Sequence, residues 1–409
     1  MDTVLNKDVG RASRWLLQAA MGIFVVTVVI GILNGLDVIE FERNALLTHL
    51  HSGTLGWITL GFFAAALQLF QDSTGGEDPW PTRIATAGIL AVVSYVIAFY
   101  ATTGIFRPLA GAFTFAVILA LFGWVVRQAS RTTMTIPRLA VLAGMVNLVV
   151  GAVIGLLLGL QLAGRDMGLS DGAFLAHGSA MIGGYVILAG MAIAEWKLIK
   201  DPKPARKSRA GIAQVVLMFL AGLVFAVGAF LDNLQLITMN VPLMVIGTII
   251  FLSRVGRSAL KPSYGEASSG RMFSISVVFL VINISLLAYL ISQLVAAEGD
   301  VTQIPFGVVL AMDHALFIGV MANVHFGQIY DLTQGRRQLW GWANQVTYWA
   351  INIGIAGFLA GLLADNTTLK RIFTPLMGTG ILLAILVYTL RFNSQDEMGA
   401  STGPQIATP

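Results

Sequence analysis

Residues 45–70, ALLTHLHSGTLGWITLGFFAAALQLF, contain no charged side chain and are long enough to cross a bilayer as one helix, which needs about 20 apolar residues. Comparable apolar stretches lie on either side of this one, separated by short polar breaks. The sequence therefore predicts twelve transmembrane helices. Their expected ranges are 15–37, 45–70, 84–103, 107–127, 138–162, 172–196, 210–231, 234–253, 272–295, 305–329, 339–364 and 371–391.

The composition agrees with a membrane protein. Of the 409 residues, 56% are hydrophobic and only 11% are charged, whereas a soluble domain carries about 25% charged residues. Such a chain cannot cover itself with polar surface, which excludes a soluble enzyme. The alternation typical of membrane β-strands is missing, and a helix satisfies its own backbone groups in lipid. We therefore expect an all-α polytopic membrane protein with a single transmembrane domain over residues 1–409.

Lysine and arginine are distributed unequally between the two ends of the predicted spans. With the N-terminus inside, twenty of the 25 basic residues lie on the inner side. The other five, on the outer side, are Arg43, Arg107, Arg165, Lys370 and Arg371. By the positive-inside rule, we expect both termini in the cytoplasm of a prokaryote and the chain in its inner membrane. Residues 393–409 are polar and are predicted to form a flexible cytoplasmic tail, and the net charge of +4 does not suggest nucleic acid binding.

The histidines follow the order of the spans. His49 and His51 lie in the second span, His177 in the sixth, and His314 and His325 in the tenth. The segments HSGTLGW, HGSAMIGG and HALFIGV, which begin at His51, His177 and His314, each place a small residue after the histidine and glycine five or six positions on. This recurrence predicts three tandem four-helix units, about 1–130, 131–260 and 261–395, arranged as three arcs.

Four histidines are expected in one layer near the outer face, and His325 lies deeper, where a structural role is favoured. His49 and His51 are two residues apart, or about 200° around a helix, so they face different neighbours and cannot chelate one metal. We expect one of the two to pair with His177 and the other with His314. One or two b-type haems fit such pairs of facing imidazoles. The chain has no cysteine, so any haem is held non-covalently. The alternative is that these histidines join helices or relay protons.

Twelve spans with histidines in the second, sixth and tenth resemble the catalytic subunit of the haem–copper oxidases and nitric oxide reductases. The segment THLHSGTLGW (48–57) is similar to HxHSGxLGW, a tenth-helix signature of the C-family oxidases, although here it lies in the second span. The resemblance implies that His49 and His51 bind two different haems from opposite faces. It also implies that Lys370 and Arg371 contact haem propionates; Arg43, Arg107 and Arg165 are weaker candidates.

The sequence lacks the residues that bind the second metal in this family. The seventh span, 210–231, contains neither histidine nor tyrosine, and the glutamates that surround the non-haem iron of nitric oxide reductases are missing. A three-imidazole copper site cannot be assembled, so copper is not expected. The chain resembles a divergent member without the binuclear centre, which leaves open whether it is an enzyme.

Two classes of function follow. The first is a membrane-bound b-type haem protein that transfers electrons or binds NO or O2, with a c-type cytochrome or quinone as electron partner and with a second subunit or another copy of the chain. The second is a transporter or permease whose histidines and Asp313 move protons, a metal ion or a small substrate. Asp313 directly precedes His314 and either orients a neighbouring group or carries protons.

Overall fold

The structure is a computed structural model that describes residues 6–71, 77–200 and 202–394. It confirms an all-helical chain with twelve long apolar helices, each able to span a membrane. In chain order they are α1 (Lys7–Gly35), α2 (Arg43–Phe70), α3 (Trp80–Ala101), α4 (Phe106–Ala129), α5 (Ile136–Leu162), α6 (Gly172–Leu198), α7 (Arg209–Phe230), α8 (Leu234–Ala259), α9 (Ser269–Ala296), α10 (Phe306–Leu332), α11 (Ala343–Leu363) and α12 (Thr367–Asn393).

Several helices extend beyond the apolar stretches that predicted them. Helix α1 begins at Lys7 rather than near residue 15, because the side chain of Asn6 accepts a hydrogen bond from the Asp8 backbone N–H at 2.9 Å and caps the helix there. Helix α8 continues to Ala259, past the end predicted at 253. Hydropathy marks where a chain leaves lipid, whereas capping decides where a helix ends. The predicted tail, 393–409, lies outside the described residues from 395 onward.

Helices α2, α6 and α10 form the centre of the bundle. Their most apolar windows are 89%, 67% and 67% buried, compared with 33–56% for the other helices. Central helices contact one another directly: Tyr185 of α6 packs its ring edge against Phe62 of α2 with centroids 5.0 Å apart. Trp57 of α2 similarly meets His325 of α10 at 5.3 Å. The three helices that carry the histidines are therefore the three that are most shielded from lipid.

The remaining helices surround these three. Helix α12 packs against α1, α4 against α5, and α8 against α9, while Arg271 of α9 donates a hydrogen bond to the Asn344 carbonyl of α11. These contacts close the outer helices into a ring around α2, α6 and α10. The division of the bundle into three repeated units, about 1–130, 131–260 and 261–395, stays a prediction.

Each central helix changes its hydrogen-bonding pattern just after a histidine. The π-helical stretches are Ser52–Thr59, Ser179–Val186 and Ala315–Ala322, each of eight residues. They begin one or two residues after His51, His177 and His314. A π-helical stretch widens the helix and changes the direction of the side chains that follow, and such stretches are frequent at functional sites.

Glycines within these π-helical stretches let the outer helices approach closely. A Cβ atom at Gly56 would lie 2.3 Å from the Ile23 side chain of α1, and one at Gly319 would lie 2.4 Å from the Phe279 ring of α9. Both distances are far inside van der Waals contact, so these positions require glycine. The widened helices are held in place by their neighbours in the ring.

Candidate functional site

His49, His51, His177 and His314 all lie within about three turns of the same end of the bundle, near the starts of α2, α6 and α10. Each is only partly buried, whereas His325 is completely buried. The structure therefore brings the four predicted ligands into one layer and separates the fifth histidine from them.

Two of the four imidazoles are anchored to outer helices. The Nδ1 atom of His49 lies 2.8 Å from the Thr27 carbonyl oxygen of α1, and Nδ1 of His177 lies 2.8 Å from the Gly151 carbonyl oxygen of α5. Each of the other two imidazoles contacts a backbone carbonyl oxygen one turn earlier in its own helix. Their contacts are His51 Nδ1 to the Leu47 carbonyl oxygen at 2.8 Å and His314 Nδ1 to the Leu310 carbonyl oxygen at 2.8 Å.

These hydrogen bonds determine which ring nitrogen carries the proton. A carbonyl oxygen can only accept, so Nδ1 donates in all four rings and Nε2 of each neutral imidazole keeps a lone pair. Within the described residues, Nε2 of these four histidines has no hydrogen-bond partner. An imidazole that donates from one nitrogen to a carbonyl and leaves the other free is the usual arrangement of a metal-ligating histidine.

Two electrostatic interactions connect these rings across helices, one between His51 and His177 and one between His314 and His49. The sequence predicted one partner for each member of the His49–His51 pair but left the assignment open. The electrostatic interactions favour His51 with His177 and His49 with His314, and the pairing stays a prediction.

The pairs are bordered by aromatic side chains. The His51 ring lies 4.1 Å from the Phe99 ring and 5.5 Å from the Tyr95 ring, both of α3. The His314 ring meets Phe358 of α11 edge-on at 5.1 Å. Apolar aromatic walls around a pair of imidazoles suit a flat apolar macrocycle.

His325 differs from the other four histidines because both of its nitrogens are used. Its Nε2 donates to the Ile58 carbonyl oxygen at 3.2 Å, and its Nδ1 accepts from Gln328 Nε2 at 3.1 Å. The ring is packed so tightly that a Cβ atom at Gly61 would lie 2.6 Å from it. No lone pair is left for a metal, so the contacts of His325 are those of a residue that joins α10 to α2.

The two basic residues predicted to meet propionates lie at the histidine end of α12. Arg371 already has a partner, since its Nη2 lies 3.1 Å from Asp37 Oδ2, although both side chains are more than half exposed. Lys370 is partly buried and packs on α11, where a Cβ atom at Gly361 would lie 2.9 Å from the Lys370 backbone nitrogen.

Arg107 is the more deeply placed cation of this end, although the sequence ranked it lower. It is 9% exposed and donates to Asn44 Oδ1 at 2.8 Å and to the Phe99 carbonyl at 2.7 Å. Its Nε has no partner in the described chain, and it interacts electrostatically with His51. In the sequence, the only sign of this role for Arg107 is its position at the outer end of a span. Its burial depends on packing between helices.

Other ionisable groups do not assemble into a metal site. Across residues 6–71, 77–200 and 202–394, three or more His, Asp or Glu side chains nowhere converge on a point that could hold an ion. Asp313 carries a buried Oδ1 without a hydrogen-bond partner in the described part of the chain. A metal in the histidine layer would therefore rely on pairs of imidazoles.

The sequence matches no known protein-family model, and no curated protein is significantly similar to it. The fold defines a multi-pass membrane protein with twelve candidate spans and a layer of four carbonyl-anchored histidines.

Proposed function

We propose that the protein is a membrane-bound b-type haem protein, distantly related to the haem–copper oxidase and nitric oxide reductase subunits, that lacks a copper site. Two haems would be held, one by His51 and His177 and the other by His49 and His314. The observation that carries this proposal is the shared arrangement of the four imidazoles, each with Nδ1 donating to a carbonyl at 2.8 Å and Nε2 free.

The residues present fit such a cofactor. Each pair supplies two neutral imidazoles, and Phe99 and Phe358 border the two pairs with apolar surface. With two histidines on each iron, the bound haem would supply one-electron transfer. Electron transfer is therefore favoured over the binding of NO or O2, which needs an open axial position. A c-type cytochrome or a quinone is the expected electron partner, and a second subunit or another copy of the chain is the expected protein partner.

Cationic side chains would neutralise the haem propionates. Lys370 and Arg371 lie at the end of α12 nearest the histidine layer and serve the His49–His314 pair. Arg107 serves the His51–His177 pair, supported by its burial and its electrostatic interaction with His51. Guanidinium–carboxylate contacts are among the strongest charge-assisted hydrogen bonds. The distribution of Lys and Arg supports an inner-membrane location with both termini in the cytoplasm, so the haem layer would lie near the outer face.

The recurrence of structure around α2, α6 and α10 also supports this relationship. Each has a π-helical stretch just after a histidine, and each packs against the first helix of its predicted unit. Three repeated four-helix units would produce this recurrence.

A transporter is the second candidate, and Asp313 is the observation that favours it. A buried carboxyl oxygen without a hydrogen-bond partner in the described chain is typical of proton-carrying sites within membranes. The histidine layer weighs against this function, because a proton relay does not require four rings oriented in the same way.

The visible spectrum of the detergent-purified protein, oxidised and then reduced with dithionite, tests the haem proposal. After expression with ample haem, we expect a Soret band, a sharp reduced α-band that CO leaves unchanged, and two haems per chain. Absence of a Soret band would refute the proposal. A shift on addition of CO would keep the haem and assign gas binding instead of electron transfer alone.

A further inference from the structure

The three central helices expose apolar side chains at the end of the bundle that carries the histidine layer. The exposed fractions are 41% for Leu46 and 36% for Leu50 of α2, 66% for Phe174 of α6 and 71% for Phe306 of α10. Elsewhere α2, α6 and α10 are the most buried helices of the chain. Exposed apolar side chains that cluster outside the lipid-facing surface mark an interaction site.

These side chains face the axis of the bundle and not lipid. Two positions after Leu46, Phe174 and Phe306, and about 200° around each helix, the side chains are buried. These buried residues are Thr48, Ala176 and Val308. At this end α2 packs on α1 and α3, α6 on α5 and α7, and α10 on α9 and α11. The buried side of each central helix is therefore the side toward the outer ring, and the exposed side borders the axis. We call the opening that Leu46, Leu50, Phe174 and Phe306 line the apolar mouth.

The apolar mouth opens directly above the histidine layer. Leu46 and Phe174 each precede a histidine, His49 and His177, by three residues. Three residues are about one turn of a helix, a rise of ~5 Å. Leu50 lies between His49 and His51 in the sequence. A molecule seated on the apolar mouth would thus lie over the four imidazoles.

Acidic side chains border the apolar mouth. The loops that lead into α2, α6 and α10 are residues 36–42, 163–171 and 297–305, and Arg165 is their one basic residue. They contain seven acidic residues, all exposed: Asp37, Glu40, Glu42, Asp166, Asp171, Glu298 and Asp300. Among the described residues, Asp37 alone of these seven forms an ion pair, with Arg371. The rim of the apolar mouth is therefore strongly negative.

The cations of the same end lie on other helices. Arg107 belongs to α4, and Lys370 and Arg371 belong to α12, so all three are in the outer ring. An apolar centre inside a charged rim is the usual anatomy of a protein–protein interface. A rim of one sign attracts a partner of the opposite sign and guides its approach. The partner that fits this surface is a protein with a basic contact face.

We propose that the apolar mouth and its acidic rim are the docking surface for a soluble electron-transfer protein whose apolar contact patch is surrounded by lysines. This inference rests on the proposed function, because the histidine layer below the mouth is what makes an electron carrier the partner. Charge complementarity selects a basic protein. A quinone fits this surface less well, since it arrives through lipid and the outer helices separate the apolar mouth from lipid.

Calorimetric titration of the detergent-purified full chain measures docking without relying on a bound cofactor. The probe is oxidised mitochondrial cytochrome c, a lysine-rich c-type cytochrome, and an acidic c-type cytochrome is the control. We expect saturable one-to-one binding of the basic probe at an ionic strength of about 20 mM, and binding at least about tenfold weaker at about 200 mM. The acidic cytochrome should not bind. Absence of binding of the basic probe, or binding that salt leaves unchanged, would overturn the proposal.

Charge variants locate the contact. Glu42 and Asp171 directly precede α2 and α6, and neither side chain caps its helix. The double variant Glu42→Gln/Asp171→Asn should weaken binding about fivefold, the effect of two exposed charge pairs. Glu77→Gln/Glu266→Gln makes the same change in charge at two exposed residues of the opposite end and should leave binding unchanged. Equal loss in the two double variants would show attraction by net charge alone and contradict a docking surface.

An apolar variant tests the centre of the surface. Phe174→Ala truncates a largely exposed ring, so it should leave the fold intact and weaken binding about tenfold or more, as expected for an aromatic anchor of an interface. Phe113→Ala is the matched control, because Phe113 is an exposed ring of the outer helix α4. Unchanged binding in Phe174→Ala would overturn the apolar mouth as the contact.

Failure of this inference is distinguishable from failure of the proposed function. A chain without a Soret band that still binds the basic cytochrome would refute the haem and keep the docking surface. A chain with two haems that binds no cytochrome, and that a soluble quinol analogue reduces, would keep the haem proposal and overturn the docking surface.

Discussion

The imidazole of His177 lies directly against Gly155 of α5, where a Cβ atom would stand 2.6 Å from the ring Cε1. Four residues earlier, the Gly151 carbonyl accepts the Nδ1 hydrogen bond of the same ring. Helix α5 therefore both orients this imidazole and limits the space beside it. The position of His177 depends on a glycine in another helix.

Gly155→Ala should therefore displace His177 and impair the haem assigned to the His51–His177 pair. A methyl group at 2.6 Å cannot be accommodated without movement of the ring. We expect loss of about half of the haem per chain in a pyridine haemochrome assay, since one of two sites is affected. Gly159→Ala is the matched control, because its Cβ would meet only Pro108 at 3.6 Å, an ordinary contact. Equal haem content in the two variants would contradict the role of His177.

His49→Ala and His51→Ala should affect different haems. The electrostatic interactions of His49 with His314 and of His51 with His177 favour two separate pairs. Each substitution should leave one haem bound, and the residual reduced spectra should differ in α-band position. Identical residual spectra would contradict two separate sites.

His325→Ala should leave the haem spectrum unchanged and lower the stability. It removes two buried hydrogen bonds and opens a cavity between α10 and α2, so we expect a loss of about 2–4 kcal/mol. A thermal melt measures the second effect and the visible spectrum the first. Haem loss at wild-type stability would show that this histidine is a ligand after all.

The spans could be predicted because lipid imposes a length and a polarity on each helix, as the agreement between 45–70 and Arg43–Phe70 illustrates. The ends could not, since they depend on local hydrogen bonds such as the Asn6 cap. The layer of histidines followed from their even spacing along the chain. Their pairing did not, because it depends on how α2, α6 and α10 pack against one another, which leaves no periodicity in the sequence.

The burial of the arginines could not be predicted from the sequence. In the hydropathy pattern, Arg107 and Lys370 are both simply charged residues at the ends of spans. Burial distinguishes them, since Arg107 lies over the Phe99 ring at 4.9 Å, a contact that depends on how α3 and α4 pack. Arg271 and Arg391 are 120 positions apart in sequence, yet both donate hydrogen bonds to Asn344. Contacts of this range leave no pattern in a single sequence.

Glu195→Gln should be strongly destabilising. Glu195 is 5% exposed and accepts hydrogen bonds from Arg254, one of them at 3.0 Å, while Gln214 accepts from the same guanidinium. Removal of the carboxylate charge leaves a mostly buried guanidinium without a counter-charge, which costs up to about 3 kcal/mol. Chemical or thermal unfolding in detergent measures this loss.

Asp37→Asn is the control for that prediction. The Asp37–Arg371 pair is more than half exposed on both sides, so its loss should change stability by no more than about 1 kcal/mol. Asn also tolerates the left-handed backbone that Asp37 adopts at φ +53°. Similar losses in the two variants would show that burial of the Glu195 pair does not determine its effect.

Gly319→Ala should disrupt the packing of α10 on α9. The new methyl group would lie 2.4 Å from the Phe279 ring, and a buried ring has little room to move, so we expect a loss of about 1–3 kcal/mol. Gly123→Ala places the same methyl group in open space on α4, where the better helix propensity of alanine should make it neutral or stabilising by up to about 1 kcal/mol. Opposite signs of the two changes in Tm are expected. If Gly319→Ala also stabilises the protein, α9 and α10 do not pack as closely as the structure shows, and the π-helical stretch that follows His314 is not held by Phe279.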